Sequence, residues 1–285
     1  AVRFLFVDKI SSIEGDVIVG QKAFAINDPL GYPSDCENSP RQISPGVISE
    51  GIGQLASWLV MKRNGFSARP LFLFADKIAM SRPVFGGSSV VLTATVHHQD
   101  AESCSFSGIA TLNGQEISRI EHCHCHMAPL DTLEDPKVVE ARFKDLTSAG
   151  LVLDDDGKSF DFDSLIDHVM EMNAGQTILT KKRMGMDEGF FRDHFPRSPI
   201  TPIVMINEMI GQAARKLIGA SRDALSLKEL TDIKIKNFVR PGDECETRVK
   251  LVDQRTLDDG SKQFNTSCEV IKNGKRIVRG EYTFV

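Results

Sequence analysis

The chain has 285 residues, of which 41% are hydrophobic and 26% are charged, a composition typical of a globular protein with one large or two medium domains. Its net charge of -5 argues against nonspecific nucleic-acid binding, which requires a basic surface that neutralises phosphates. No apolar run approaches the ~20 residues that span a bilayer, and the N-terminal segment lacks the layout of a signal peptide. We therefore expect neither nucleic-acid binding nor membrane insertion.

The cysteines indicate the compartment. None of the six lies in a CxxC pair, so free thiols in a reducing cytoplasm fit best. They are Cys36, Cys104, Cys123, Cys125, Cys245 and Cys268. The chain begins with Ala1-Val2 rather than Met, so we expect a processed product or a piece of a longer polypeptide. The basic clusters Lys181-Lys182-Arg183 and Arg215-Lys216 are either solvated faces or a surface that docks an acidic carrier.

The first half predicts a short opening segment, a hairpin, one helix and several strands. Apolar residues recur at helical spacing from Val47 to Leu59, and Gly65 lies just beyond the expected end of this helix. Gly51 and Gly53 inside the helix destabilise it relative to alanine. They therefore suggest another backbone packed very close.

The second half repeats this order of elements. The segment Phe6–Ile10 lines up with Leu165–Val169, and a second helix is expected from about Pro202 to just before Gly219. Its apolar positions occupy nearly every face, as expected for a helix wrapped by a sheet. A shift of 158 residues superimposes Glu50 on Glu208, Gln54 on Gln212, and Arg82-Pro83 on Arg240-Pro241.

Alternating runs follow each helix and contain the hairpin signals Asn113-Gly114, Asp259-Gly260 and Asn273-Gly274. One mostly buried helix with an antiparallel sheet in each half predicts an α+β fold. Between the halves, roughly residues 128 to 160 form a polar connection. It contains an expected helix at 135–148 and the acidic turn Asp154–Gly157.

One histidine lies in a setting suited to proton transfer. His194 follows Asp193 in a turn that is rigid because it is rich in proline, and the helix after the turn presents Glu208. Histidine has the side-chain pKa closest to neutrality, so it can act as general base or acid. The alternative is a turn histidine without a catalytic role.

Two carboxylates are predicted to lie in buried surroundings. Glu50 and Glu208 sit among apolar residues, where a charge is expensive to desolvate. Each is either structural, hydrogen-bonded to its glutamine or to backbone, or has a pKa raised until it donates a proton at neutral pH. The helix N-termini near Gly46 and Ile203 offer unused N–H groups that can polarise a thioester carbonyl.

The run His122-Cys123-His124-Cys125-His126 has metal-binding residue types but strand-like alternation. On a strand the histidines share one face and the cysteines the other, so five ligands cannot converge on one ion. The three histidines could hold zinc only if the strand curved sharply or another ligand joined them. We predict a core or interface strand and no metal site.

The stretch from His194 to Glu208 resembles the β-hydroxyacyl-acyl carrier protein dehydratases of the hotdog fold, whose motif is commonly H-F-P-G-x-P-x-x-P-G-V-L-x-x-E-x-x-x-Q. It keeps the His, the Phe, all three Pro, the Val, the Glu and the later Gln212. It departs at Arg197 and Ile203, where the family usually has glycine.

The first half carries a weaker form of the same motif. It keeps Pro45-Gly46-Val47, Glu50 and Gln54, but at the place of the histidine it offers Ser34, Asp35 or Cys36. The resemblance thus implies two tandem hotdog units forming a pseudo-dimeric double hotdog. The expected ranges are residues 1–128 for the first unit, 129–160 for the connection and 161–285 for the second unit.

In this family each active site takes its histidine from one unit and its carboxylate from the other. The resemblance therefore implies that His194 pairs with Glu50. It also implies a degenerate second site in which Glu208 and Gln212 face Ser34 to Cys36. The substrate-binding residues that it implies are Gly46, Gln54, Phe195, Pro202 and Ile203.

The implied reaction is reversible dehydration of a 3-hydroxyacyl thioester to a trans-2-enoyl thioester, in fatty acid or polyketide biosynthesis. The substrate is carried by acyl carrier protein or coenzyme A, and no cofactor is needed because phosphopantetheine belongs to the substrate. One alternative is a hotdog thioesterase or acyl-transfer enzyme that uses a carboxylate, Tyr32, Ser34 or Cys36. Another is a non-catalytic acyl-binding pair. The pseudo-dimer lies within one chain and is compatible with a further homodimer.

Overall fold

A long helix wrapped by antiparallel strands is the central feature of each half of the protein. The computed structural model describes residues 4–32, 39–148, 162, 164–222 and 224–285. The elements of the first half are β1 (Lys9–Glu14), β2 (Val17–Ala23), β3 (Gln42–Ile43), α1 (Pro45–Arg63), β4 (Ala68–Met80), β5 (Val84–Phe85), β6 (Ser89–Gln99), β7 (Ser103–Leu112) and β8 (Gln115–Pro129).

The elements after β8 follow a similar order. A 3-10 turn at Leu130–Thr132 leads into α2 (Pro136–Thr147), and another 3-10 turn at Gly189–Arg192 precedes the second long helix. The remaining elements are β9 (His168–Asn173), β10 (Thr177–Arg183), α3 (Ile203–Ile218), β11 (Leu227–Ile235), β12 (Glu244–Thr256), β13 (Lys262–Lys272) and β14 (Lys275–Phe284).

Within the described residues, the main sheet has twelve strands in the order β1-β2-β6-β7-β8-β4-β11-β14-β13-β12-β10-β9. The order of the first six strands is mirrored by the last six, and the two sets meet where β4 pairs antiparallel with β11, for example at Ile78 and Leu230. The predicted α+β class, with a helix and an antiparallel sheet in each half, is confirmed. The unit boundaries at residues 128 and 160 stay predictions.

The repeat extends to individual hydrogen bonds at the start of each half. Asp8 accepts a bond from Lys22 Nζ at 2.8 Å and another, also at 2.8 Å, from the backbone N–H of the next residue. Asp167 accepts the same two bonds, from Lys182 Nζ at 3.0 Å and from the following backbone N–H at 2.8 Å. An equivalent aspartate thus connects the opening segment of each half to the second strand of that half.

The two glycines of α1 have different surroundings. A Cβ at Gly51 would lie 3.1 Å from the carbonyl oxygen of Phe6, so a neighbouring backbone does pack closely there, as predicted. A Cβ at Gly53 would meet Phe106 Cζ at 3.9 Å, which is ordinary contact. The expectation of a close backbone is therefore wrong at Gly53.

The N-terminal turns of α1 and α3 touch each other. A Cβ at Gly46 would lie 2.5 Å from Val204 Cγ2, so this contact requires glycine. At the other end, α3 stops at Gly219, whose φ of +74° is the left-handed conformation that terminates helices. The contact places the start of each helix beside the other half of the chain.

The connection packs against both halves. Asp135 caps α2 by accepting a hydrogen bond from the backbone N–H of Lys137 at 2.9 Å. The buried face of α2 includes Phe143, whose ring lies 6.1 Å from that of Trp58. Leu133, just before α2, packs with Phe195 and so joins the connection to the histidine turn. The acidic turn at residues 154–157 lies outside the described residues.

The basic clusters and the cysteines noted in the sequence can be located in the structure. In the basic clusters, Lys181 pairs with Glu244 at 2.8 Å, Lys182 pairs with Asp167, and Arg215 lies 3.8 Å from Glu208, so these side chains are engaged within the chain. The cysteines in the described residues are free and buried. Within the same residues, no helix is long and apolar enough to cross a membrane.

Candidate active site

His194 is held in one orientation by the turn that contains it. Its backbone N–H donates to the carbonyl of Phe190 at 2.8 Å, and its carbonyl accepts from the N–H of Ile200 at 3.0 Å. Its ring Nδ1 lies 3.0 Å from the carbonyl oxygen of Ile200. Because a carbonyl oxygen can only accept, Nδ1 carries the proton in the neutral ring. Nε2 is then the unprotonated nitrogen, able to accept a proton.

Aromatic rings surround this imidazole. The ring of Phe195 stacks on His194 with centroids 4.3 Å apart, and the ring of Phe4 meets it edge-on at 4.8 Å. Burial lowers the pKa of His194 to about 4, and the positive charge of Arg69 acts in the same direction, while the bond to Ile200 opposes them. The imidazole is therefore neutral at physiological pH and ready to act as a base.

Glu50 lies on α1 and is positioned by the glutamine one turn later. Gln54 Nε2 lies 3.5 Å from Glu50 Oε1 and 3.3 Å from the carbonyl of Phe4, and Gln54 Oε1 accepts from the N–H of Phe6 at 2.9 Å. Burial raises the pKa of Glu50 to about 7, opposed by Gln54 and by the charge of Arg69. A large fraction of Glu50 is thus protonated near neutral pH and can donate a proton.

His194 and Glu50 line the same cavity, which has a volume of about 120 Å³. Gln54, Phe195 and Ile203 also line it, so the structure brings these sequence-predicted residues together. Much of the remaining wall is apolar. The apolar wall includes Leu71, Phe72, Ile78, Phe106, Ile120, Ile235 and Phe238.

The start of α3 points at this cavity. Ile203 is its first residue and lines the cavity, and Pro202 is the N-cap residue immediately before it. The first N–H groups of a helix have no acceptor in the preceding turn and carry partial positive charge. They can therefore stabilise negative charge on a substrate oxygen. Gly46, by contrast, packs against Val204 at the helix contact and does not itself line the cavity.

Arg69 is a cavity residue that the sequence reasoning missed. Its guanidinium carbon lies 4.6 Å from the centre of the Phe195 ring, and Nη1 lies 3.4 Å from Glu134 of the connection. Arg142 pairs with the same Glu134 at 3.0 Å, so two arginines share one buried carboxylate. Arg69 thus places positive charge beside both His194 and Glu50. Its only sequence signal was a cation immediately before the apolar run at residues 70–75 of β4.

Glu208 of the second half is equivalent to Glu50 and lies in a closed cleft of about 20 Å³. Glu208 Oε1 accepts hydrogen bonds from Tyr32 Oη and Ser44 Oγ, both at 2.5 Å, and Glu208 Oε2 lies 3.8 Å from Arg215. Burial, reinforced by the charge of Glu208, raises the pKa of Tyr32 well above its usual range, so the phenol remains a donor.

Among the described residues, Glu208 contacts Tyr32, Ser44 and Arg215. The expected contact with Ser34 to Cys36 stays a prediction, because that segment lies outside the described residues. Gln212 lies in the next turn of α3. No sequence signal linked Tyr32 or Ser44 to Glu208, because they lie 176 and 164 residues from it in the chain.

The alternating histidines and cysteines of β8 occupy opposite faces of the strand. Cys123 and Cys125 are buried and line the cavity of Glu50. The three histidines have separate neighbours: His122 Nδ1 lies 3.0 Å from Asp76, His124 stacks on Phe74 at 4.2 Å, and His126 Nδ1 lies 3.1 Å from the carbonyl of Glu102. Among the described residues, no three His, Cys, Asp or Glu side chains are grouped to hold a metal ion.

Two helices wrapped by the mirrored halves of one antiparallel sheet define a hotdog fold, and solved structures share it along the chain. An acyl-ACP thioesterase from Bacteroides thetaiotaomicron aligns with a TM-score of 0.56 and 10% identity over 95% of this chain and 98% of that one. A MaoC-like dehydratase aligns with a TM-score of 0.57 and 11% identity over 98% of each chain. At these identities the likeness establishes the fold alone.

Sequence similarity shows to which family of hotdog proteins the chain belongs. Residues 170–275 match the family model of the ApeI-like dehydratases. Two relatives named 3-hydroxyacyl-[acyl-carrier-protein] dehydratase FabZ, from Lactiplantibacillus plantarum and Levilactobacillus brevis, are 34% and 37% identical over 124 residues. Each alignment covers 42% of this chain, with 81% and 80% of the respective relatives. The chain therefore belongs to the FabZ dehydratase family, a family of hydro-lyases.

Proposed function

We propose that this protein dehydrates 3-hydroxyacyl thioesters to trans-2-enoyl thioesters, using His194 as base and Glu50 as acid. The observation that carries the proposal is that these two side chains, from different halves of the chain, line one cavity. The neutral imidazole presents Nε2 as an acceptor, and the raised pKa of Glu50 keeps a proton available. Dehydration requires this pair of protonation states.

The proposed step starts at C2 of the substrate. Nε2 of His194 removes a C2 proton, and the electron pair moves toward the thioester carbonyl, whose oxygen the N–H groups at the start of α3 stabilise. Glu50 then gives its proton to the 3-hydroxyl, the C3–O bond breaks, water leaves and the C2–C3 double bond forms. A proton passed from the imidazolium to the Glu50 carboxylate through water restores both groups.

The proposed substrate is an acyl chain on acyl carrier protein or coenzyme A, in fatty acid or polyketide biosynthesis. Relatives named for an acyl-carrier-protein substrate support the thioester class. The apolar wall of the cavity suits an acyl chain. The phosphopantetheine arm would arrive with the substrate, so the proposed reaction uses no other cofactor. In the thioesterase alternative, Tyr32 is a candidate nucleophile, but its hydroxyl is bonded to Glu208 in the closed cleft.

Turnover of a 3-hydroxybutyryl thioester, followed by absorbance of the enoyl product, tests the proposal. We expect His194→Ala and Glu50→Ala each to lower kcat about 10²–10⁴-fold, and Glu208→Ala to retain activity per folded molecule. Undiminished activity in both of the first two variants would contradict the dehydratase assignment. Loss in Glu208→Ala but not in Glu50→Ala would contradict the pairing across the halves.

Two further measurements address the alternatives. Release of free thiol from an acyl thioester that lacks a 3-hydroxyl would indicate a thioesterase. Tight binding of a substrate analogue without turnover of any 3-hydroxyacyl thioester would indicate a non-catalytic acyl-binding protein.

A further inference from the structure

Gly53 borders the cavity, although packing does not require a glycine there. A Cβ at this position would meet Phe106 Cζ at 3.9 Å as its nearest neighbour among the described residues, so space remains for a side chain. Glycine within a helix is less stable than alanine. The residue thus lowers helix stability and leaves open space beside the catalytic carboxylate. This combination points to a ligand that needs the space.

The equivalent position in the second half shows what happens when this space is filled. A Cβ at Gly211 would lie 3.3 Å from Arg215 Nη1, because the guanidinium folds back over the helix. Ser57 is the residue equivalent to Arg215, and its hydroxyl donates to the carbonyl of Gly53 at 3.0 Å instead of extending across the helix. The surface of α1 beside Gly53 is therefore not covered by Ser57, whereas Arg215 covers the equivalent surface of α3.

The position of Gly53 relates this space to the acyl chain. Gly53 lies three residues after Glu50, about 4.5 Å farther along the helix axis on the same face. If Glu50 protonates the 3-hydroxyl, a four-carbon chain ends near Glu50, whereas a longer chain continues along the cavity. Phe106, Cys123 and Cys125 line the cavity with Gly53 and offer apolar contacts to it.

We propose that Gly53 is a specificity-determining residue, past which the acyl chain beyond its fourth carbon runs along the cavity. The inference rests on the proposed dehydratase function and adds to it a substrate class: 3-hydroxyacyl thioesters of medium or greater chain length. A side chain at residue 53 occupies the path of such a chain without touching the reacting carbons.

The test compares kcat/KM for 3-hydroxydecanoyl and 3-hydroxybutyryl pantetheine thioesters in Gly53→Leu and Gly53→Met. We expect the decanoyl-to-butyryl ratio to fall at least ~10-fold in both variants, because the added side chain overpacks the path of the longer chain. The ratio does not depend on the folded fraction. Gly211→Leu is the matched control, and its ratio should equal that of the wild type.

The outcomes are distinguishable. An unchanged ratio in both Gly53 variants, with active wild-type enzyme, would overturn the inference and leave the dehydratase proposal standing. Wild-type protein inactive on both thioesters would instead overturn the proposed function. Gly53→Ala should raise the melting temperature by ~1–3 °C. A lower melting temperature would show that packing requires the glycine and would also overturn the inference.

Discussion

The cavity beside Glu50 and the cleft beside Glu208 occupy equivalent positions in the two halves, but they differ in volume, about 120 Å³ against about 20 Å³. Glu50 has a long hydrogen bond from Gln54 at 3.5 Å, whereas Glu208 accepts two hydroxyl bonds at 2.5 Å and faces Arg215. The carboxylate at this helix position thus accepts a long hydrogen bond in the first half. In the second half it accepts two short hydrogen bonds and lies near an arginine. Its neighbours, rather than its place in the fold, determine its chemistry.

The arginines of the two sites are placed differently. In the first half the cation is Arg69 on β4, which pairs with Glu134 of the connection at 3.4 Å and lowers the pKa of Glu50 by its charge. In the second half the cation is Arg215 on α3, close to the carboxylate itself. In the second half, Leu227 occupies the position equivalent to Arg69. In the first half, Ser57 occupies the position equivalent to Arg215. The arginine thus lies on a strand in the half with the larger cavity and on the helix, 3.8 Å from the carboxylate, in the half with the smaller cleft.

Ser57→Arg should have the largest effect, because it gives the first helix the arginine of the second. We expect kcat/KM for a 3-hydroxyacyl thioester to fall about 10²-fold or more, since the guanidinium would fill the cavity and hold Glu50 as the carboxylate, which cannot donate a proton. Ser57→Ala is the control, which removes the bond to Gly53 and should change activity less than about threefold. Full activity in Ser57→Arg would show that Arg215 does not explain the closed cleft.

Glu208→Gln should mainly affect stability. Removing the charge weakens the ion pair with Arg215 and two short hydrogen bonds, and breaking a buried ion pair typically costs about 3–5 kcal/mol. Urea denaturation measures this loss as a lower midpoint at an unchanged slope. Activity per folded molecule should remain within about threefold of the wild type. A stable but inactive variant would identify Glu208 as a participant in the reaction.

The pH dependence of kcat/KM for dehydration should reflect the first site. His194 must be neutral and Glu50 protonated, so activity should rise as the pH passes about 4 and fall as it passes about 7. Arg69→Met removes positive charge, which raises both pKa values and moves both limbs to higher pH. Arg69→Lys keeps the charge and should keep the limbs in place. Limbs that stay fixed in Arg69→Met would show that Arg69 has no electrostatic role.

Much of the framework was predictable because it depends on local patterns and on the repeat. Helical spacing located α1, the proline and glycine signals located the ends of α3, and the His-Phe-Pro turn predicted a role for His194, which lines the cavity. The placement of Arg69 was not predictable, because its contact with Phe195 joins residues 126 positions apart and follows no motif. The expectation of a close backbone at Gly53 was wrong for the same reason, because its neighbour Phe106 is also distant in the chain. A glycine in a helix indicates that space is needed, but not whether a backbone or a ligand fills it.

Tyr32→Phe should have the smallest effect and shows how much one donor contributes to the closed cleft. The phenol donates to Glu208 at 2.5 Å while burial keeps it protonated, so its loss should lower the free energy of unfolding by about 1–3 kcal/mol. Ser44→Ala removes the other hydroxyl donor to the same oxygen and is the matched comparison. Because both hydroxyls share Glu208 Oε1, the double variant should differ from the sum of the single losses, as measured by a urea double-mutant cycle. Strict additivity would mean that the two donors act independently, and the cleft would then be a set of separate contacts rather than one coupled network.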